Sequence, residues 1–349
     1  MVRLINLREL NICELTDVVI NAGYQKFRAK QIWDWLGTGV HNFNQMTNLP
    51  CDLRKFLCEK FKLNSLEIEK VLTLKNEEVK KILFRLVDGN FIETALMKYK
   101  YGYSVCVSTQ VGCKMHCRFC VSGMNGFVRN LTVSEILEQV ILAQQIAEKR
   151  IGHVVLMGIG EPLDNFNNVV KFIELVSCPG SVGVGQRNIS LSTVGLVDGI
   201  YALMKLKLKI TLSVSLHAPN DELRCNLMPV NKRWNIQQLI TACKEYFEVT
   251  HRRVSFEYIM LAGVNDSFEH AKSLKNLFAG FPVHINLIPA NSGVGWFKAS
   301  GRMVIERFKK RLEDGGFSVT VRRTLGIEIG AACGQMRCCS SRSNGLERG

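Results

Sequence analysis

The stretch Cys113-Lys114-Met115-His116-Cys117-Arg118-Phe119-Cys120 directly follows the strand-like run Tyr103 to Gln110. It sets three thiols at a four-then-three spacing, with an aromatic residue beside the last. That spacing offers three thiolates to one small inorganic cluster. Cubane iron–sulfur clusters usually take four cysteines, so a local triplet leaves one iron to an exogenous molecule. Two other readings stay open at this level. Free cysteine is among the most buried residue types, so the three can be core thiols. A zinc site is disfavoured, because its short-range signature sets one close cysteine pair against a second.

Outward from this segment the chain alternates. β-rich runs are predicted at Ser104 to Thr109, His153 to Met157, Asn188 to Thr193, Ile210 to His217, Val254 to Leu261 and Val283 to Ile288. Thr132 and Glu135 form a capping box ahead of the helix Ile136 to Lys149. Further helices are predicted at Asn168 to Val176, Asn235 to Phe247, Ser267 to Phe278 and Met303 to Glu313. Such alternation demands right-handed crossovers around a parallel sheet. Six repeats followed by Phe317 to Arg323 predict an α/β fold, a partial (β/α)6 barrel with an extra strand. In barrel-like α/β enzymes the loops at the carboxyl ends of the strands converge. The cysteine triplet is thereby grouped with Gly158 to Pro162, Ser192, His217 and Asn291.

Residues 1 to about 95 read differently, as a small mixed N-terminal domain. Gln25 to Leu36 has the apolar face Phe27, Ile32, Trp33 and Leu36 of an amphipathic helix. The turn Asn48-Leu49-Pro50 separates it from a second helix, Asp52 to Phe61. Val71 to Leu74 and Lys81 to Val87 read as short strands, with Asp88-Gly89 as a hairpin turn. The expected division is 1–95, 96–340 for the main domain, and 341–349 as a flexible tail.

Composition excludes several classes. An apolar share of 47% with 22% charged residues is that of a folded protein. Apolar runs are too short to cross a bilayer, and Met1 to Val18 shows no signal-peptide core. A cytoplasmic location is expected, where 13 cysteines stay reduced. The 45 Lys and Arg against 31 Asp and Glu give a formal charge of +14, which favours an anionic partner. Candidate contact patches are Lys26, Arg28 and Lys30, then Lys98 and Lys100, then Arg322, Arg323 and Arg337.

The cysteine segment resembles the signature of the radical S-adenosylmethionine (SAM) superfamily. Over nearly its whole length the chain also resembles the dual-specificity RNA adenine-C2 methyltransferases. That narrower likeness rests on Gly158-Ile159-Gly160-Glu161-Pro162-Leu163, Ser190 to Gly195, Ser213 to Ala218, Asn286 to Asn291 and Gly326 to Met336, with Ala331-Ala332-Cys333-Gly334-Gln335 the most diagnostic. Ala290, where the family often has an aromatic, and Gly330, where it often has an acid, depart from the pattern.

The resemblance implies one [4Fe-4S] cluster on Cys113, Cys117 and Cys120, and SAM as both methyl donor and radical source. It implies SAM contacts at Gly160, Glu161, Ser192, Ser215, Leu216, His217 and Asn291. His217 can instead simply satisfy nearby backbone groups. Cys333 corresponds to the cysteine that is methylated and whose methylene radical adds to adenine C2, and Cys106 to the thiol that resolves the adduct through a transient disulfide. Glu93 corresponds to the proton acceptor, the alternative being a surface Glu in the domain connection. The implied partners are 23S ribosomal RNA, transfer RNA and a low-potential donor such as flavodoxin or ferredoxin. A monomer with no membrane association is expected. The runner-up is a relative that methylates adenine C8, disfavoured because such relatives commonly have Ala at the position of Pro162. An iron–sulfur RNA-binding or assembly factor is the non-enzymatic alternative.

Overall fold

The computed structural model describes residues 4–74, 78–291 and 297–323. The chain opens with the short strand β1 (Ile5–Asn6) and the helices α1 (Ile12–Asn21), α2 (Phe27–Thr38) and α3 (Cys51–Lys60), then β2 (Phe61–Lys62). Asn11 starts α1 with a capping box to Glu14. Left-handed Gly39 ends α2, a conformation that glycine adopts without steric cost. β1 and β2 pair in parallel and close this helical unit.

Three long antiparallel strands follow, β3 (Leu66–Thr73), β4 (Val79–Leu86) and β5 (Phe91–Tyr99). Asp88 and Gly89 form the turn between β4 and β5, closed by the Leu86 and Asn90 backbone. β5 pairs with β6 (Gly102–Cys106), the first barrel strand. Next come a small hairpin, β7 (Gln110–Gly112) with β8 (Phe127–Asn130), and the helix α4 (Val133–Ala147) behind the Thr132–Glu135 capping box.

The repeats then run β9 (Ile151–Leu156), α5 (Phe166–Ser177), β10 (Ile189–Thr193), α6 (Val197–Lys205), β11 (Thr211–Ser215), α7 (Asp221–Leu227), α8 (Ile236–Thr250), β12 (Val254–Met260), α9 (Phe268–Leu277), β13 (His284–Pro289), α10 (Arg302–Glu313) and β14 (Ser318–Val321). Among the described residues one sheet of ten strands runs β14-β13-β12-β11-β10-β9-β6-β5-β4-β3. Its pairs from β6 through β14 are parallel, those from β3 through β6 antiparallel. This is the partial α/β barrel with its extra strand, preceded by a small N-terminal unit.

Residue 95 lies inside β5, so the sheet continues across the position expected to separate the N-terminal domain from the barrel. β5 itself, α1, α6 and the β7–β8 hairpin were not among the predicted elements. A buried polar knot joins the helical unit to α4: Glu138 accepts from the Ser65 and Leu66 amides at 2.8 and 3.0 Å and from Asn6 Nδ2 at 2.9 Å, with Arg8 Nη1 at 3.5 Å.

Candidate active site

The β7–β8 hairpin frames the cysteine loop. Gly112 has φ +74°, and a Cβ there would stand 1.9 Å from the Gly126 carbonyl oxygen. That same oxygen accepts the Cys113 amide at 3.1 Å. The Cys120 amide donates to the Cys117 carbonyl at 3.1 Å, and the Arg118 amide to Leu227 at the end of α7 at 3.0 Å. The loop is thus tied to both the hairpin and the barrel.

Cys117 and Cys120 line an open cleft with about 1340 Å³ of empty space at the carboxyl ends of the barrel strands, and Cys113 stands in electrostatic contact with Cys120 and Glu161. Burial pushes the Cys113 thiol up to about 12, and the negative charges of Glu161 and Cys120 add to it. Cys117 is raised well above its usual value by burial, then by Cys120 and Cys113. Three thiolates that feel one another's charge repel, and a cationic iron centre would reverse that penalty. Among the described residues no three His, Cys, Asp or Glu side chains converge as ligands of a single metal ion would. A cubane presents its irons at separate corners, so its thiolates need not meet at one point. The donor set therefore fits a cluster.

Nine of the expected site residues line this one cleft: Cys106, Cys117, Cys120, Gly160, Glu161, Ser192, Ser215, His217 and Asn291. Glycine at 158 lets the chain pass close to β6, since a Cβ there would lie 2.6 Å from the Val107 carbonyl oxygen. Glu161 is buried, and its two oxygens accept the Leu163 and Val194 amides at 3.0 and 2.8 Å. Burial lifts its carboxyl to about 7 against the lowering pull of these hydrogen bonds and one from Thr193. An ammonium group placed beside it would favour the charged form. Ser192 and Ser215 sit at the carboxyl ends of β10 and β11.

His217 takes a left-handed backbone, φ +58°, and its ring stands edge-on to Phe119 with centroids 4.7 Å apart. It does satisfy a backbone group, accepting the Ile259 amide. Leu216 is not among the cleft-lining residues. Its side chain belongs to the main core, its N–H donates to the Glu257 carbonyl at 3.1 Å, and its carbonyl accepts from Arg224 Nε at 3.2 Å.

Cys106 ends β6 opposite Ala95 of β5 and Val155 of β9. Glu93 is neither exposed nor in a connecting segment: it is buried within β5, with Lys81 Nζ 2.6 Å from its Oε1. Cys333, Arg337 and the whole diagnostic stretch 326–336 lie outside the described residues, as does the expected tail.

Several groups at the site escaped the sequence reading. Arg224 is fully buried and donates to the carbonyls of Val194, Ser215 and Leu216 and to Asn231 Oδ1, which locks the ends of β10 and β11 together. Glu257 lines the cleft from β12 and accepts from Asn286 Nδ2 at 2.8 Å. Burial raises its carboxyl, opposed by Arg322. A lone carboxylate inside the apolar run Val254-Ser255-Phe256-Glu257-Tyr258 was the available signal. Of the basic patches, Arg322 and Arg323 line the cleft, Lys98 and Lys100 are exposed at the β5–β6 turn, and Lys26, Arg28 and Lys30 lie at the start of α2. No helix among the described residues is long and apolar enough to cross a membrane.

Comparison with known proteins agrees with this geometry. Residues 107–274 match the family model of the radical SAM superfamily, and residues 5–63 that of the ribosomal RNA large subunit methyltransferase N-terminal domain. The chain is 48% identical over 335 residues to a "Probable dual-specificity RNA methyltransferase RlmN" of Desulforamulus reducens, covering 95% of this chain and 96% of that one. A protein of the same name from Clostridium perfringens is 44% identical over 344 residues, covering 98% and 99%. A radical SAM methyltransferase from Sphaerobacter thermophilus, known from its crystal structure, superposes with a TM-score of 0.92 at 39% identity, covering 95% of this chain and 99% of that one.

Proposed function

The chain belongs to the RlmN family within the radical SAM superfamily, which brings with it an iron–sulfur and SAM cofactor system, and from that premise we propose that it methylates adenine C2 in RNA. The observation that carries this reading is the convergence of two cysteines of the triplet, Cys106 and the ends of five barrel strands on one cleft. Cys113, Cys117 and Cys120 hold a [4Fe-4S] cluster, and Gly160, Glu161, Ser192, Ser215, His217 and Asn291 hold SAM, with Leu216 contributing through the backbone at most. When bound, cluster and SAM supply a methyl group and a 5′-deoxyadenosyl radical. Glu161 would accept from the methionyl ammonium, while Ser192 and Asn291 would address the ribose or carboxylate.

Cys333 carries the methyl carbon to adenine C2, Glu93 takes the C2 proton, and the adduct's one surplus electron would return to the iron–sulfur centre. Cys106 then attacks the Cys333 sulfur. The S–S bond forms, the C–S bond to the adenine methylene breaks, and the product leaves after its new methyl gains a proton. Residues 5–63 and the basic surfaces hold the RNA, with the target adenine flipped out of its stack to reach the cleft. Phosphate contacts then supply salt-sensitive affinity and position. The substrates are 23S ribosomal RNA and transfer RNA, the electron donor a flavodoxin or ferredoxin, and the enzyme a cytoplasmic monomer.

Anaerobic reconstitution with iron, sulfide, SAM, a low-potential reductant and RNA tests the proposal, followed by hydrolysis and identification of the modified nucleoside. The expected product is 2-methyladenosine. Formation of 8-methyladenosine alone moves the assignment to the C8 relatives. Failure to form 5′-deoxyadenosine with an intact cluster and competent RNA points to a binding or assembly factor.

A further inference from the structure

The N-terminal strands bury a charged pair, Lys81 and Glu93, next to the cleft-lining residue Ala95, although neither member of the pair lines the cleft itself. In the β4–β5 hairpin Lys81 stands opposite Ala95 and Leu83 opposite Glu93, so Lys81 and Glu93 are diagonal neighbours on one face. Nζ and Oε1 are 2.6 Å apart, and the two side chains are only 13% and 7% exposed. Alternate residues of a strand share a face. The face of β5 that carries Glu93 continues through Ala95, Met97 and Tyr99, all of which line the cleft. β6 adds Cys106 directly opposite Ala95. Lys81, Ala95 and Cys106 therefore form one row across three strands. Glu93 stands off this row, two residues back along β5, where its carbonyl accepts from Ser108 Oγ, just past the end of β6, at 2.7 Å.

Stability does not account for two charges kept at this place. The desolvation of a buried ion pair commonly matches or exceeds its attraction, and apolar residues of similar volume serve as well. The pair does have a chemical consequence. An ammonium in direct contact stabilises the carboxylate form of its neighbour, and the hydrogen bond fixes that carboxylate's orientation on the strand.

We infer that Lys81 is a positioning residue for proton removal, holding Glu93 charged and oriented to accept the proton of adenine C2. Once the methylene carbon has bonded to C2, the C2–H bond breaks and its electron pair restores the purine ring. The proton passes to the Glu93 carboxylate beside the Lys81 ammonium, and the one surplus electron of the adduct would return to the iron–sulfur centre. The inference rests on the proposed role of Glu93 as proton acceptor. It assigns the N-terminal hairpin a role in the chemistry, where the barrel alone supplies cofactor binding.

The test uses full-length Lys81→Met, Lys81→Gln, Lys81→Arg and Glu93→Gln enzymes, reconstituted with cluster and given RNA carrying either hydrogen or deuterium at adenine C2. The Met and Gln variants are expected to keep their iron content and 5′-deoxyadenosine formation while methylation slows roughly 10- to 100-fold, a fraction of a general-base contribution. Deuterium should slow methylation by these variants further, and Lys81→Arg should restore most of the rate. Wild-type methylation rates without an isotope effect in Lys81→Met and Lys81→Gln overturn the inference. So does a loss of 5′-deoxyadenosine formation in proportion to methylation, which marks a structural role. An impaired Glu93→Gln beside unaffected Lys81 variants refutes Lys81 alone, whereas a fully active Glu93→Gln refutes the proton-acceptor reading as well.

Discussion

His217 Nδ1 accepts the backbone N–H of Ile259 at 2.9 Å, a bond that joins the end of β11 to β12 beside the cleft. An accepting nitrogen carries no proton, so the ring is neutral with its hydrogen on Nε2. Burial, and after it the Arg224 charge, lowers its pKa to about 3. An unfolded chain has a His pKa of about 6.5 and binds a proton that the fold does not in the interval between. The contribution to stability is complete above about pH 6.5 and is lost as the pH falls toward 3. Denaturant titrations of His217→Asn should therefore give a curve of stability against pH that is shallower by about one proton near pH 5. An unchanged slope would mean that His217 is already charged in the native protein.

Arg224 is the crosspiece under the cofactor end of the barrel. Arg224→Met leaves the carbonyls of Val194, Ser215 and Leu216 and the Asn231 amide oxygen without their buried donor. The expected cost is about 3–5 kcal/mol in urea unfolding, the range for breaking a buried charged network. Arg224→Lys should recover little, because one ammonium cannot span acceptors that a guanidinium fork reaches together. Recovery of wild-type stability by Lys would show that charge alone matters there.

Gly112→Ala should lower the iron bound per chain after reconstitution. Its Cβ meets the very carbonyl that holds the Cys113 amide, and φ +74° adds strain for any side chain. Gly185→Ala is the matched control, since nothing lies within 4 Å of its Cβ. Equal iron content in the two variants would contradict the role given to the hairpin.

Glu138→Ala tests the link between the helical unit and α4. The variant removes the acceptor of two amides and one Asn side chain and leaves the Arg8 charge buried. A loss of about 3–5 kcal/mol is expected, with a smaller loss for Glu138→Gln, which keeps an acceptor oxygen. Thermal unfolding that shows full stability for Glu138→Ala would dissolve the proposed link.

The barrel strands could be read from sequence because each is a short β-branched or apolar run between helical stretches with their own caps, as at Thr132, Asn235 and Ser267. β5 could not. Its buried run Ile92 to Met97 has no alternation of polar and apolar residues, because both faces of the strand are covered. The same gap hid the pair Lys81–Glu93, whose contact depends on the register of two strands and not on any spacing along the chain. The cysteine triplet and the Gly158 to Leu163 segment were legible because their chemistry is local. Arg224 and Glu257 were not, since a buried charge looks like a surface one until its partners are known.

The unbroken sheet has a consequence for dissection of the molecule. Removing residues 1–95 would cut β5 in half. Leu96–Tyr99 would still pair with Gly102–Val105, but Leu96 and Met97 would lose their β4 partners and Cys106 its partner Ala95, leaving a short stub with unpaired backbone groups as the edge of the sheet. Such an edge is a template for another chain to add to. The shortened protein would be prone to assemble through that edge, with Cys106 at the seam, and the N-terminal strands thereby act as its permanent guard.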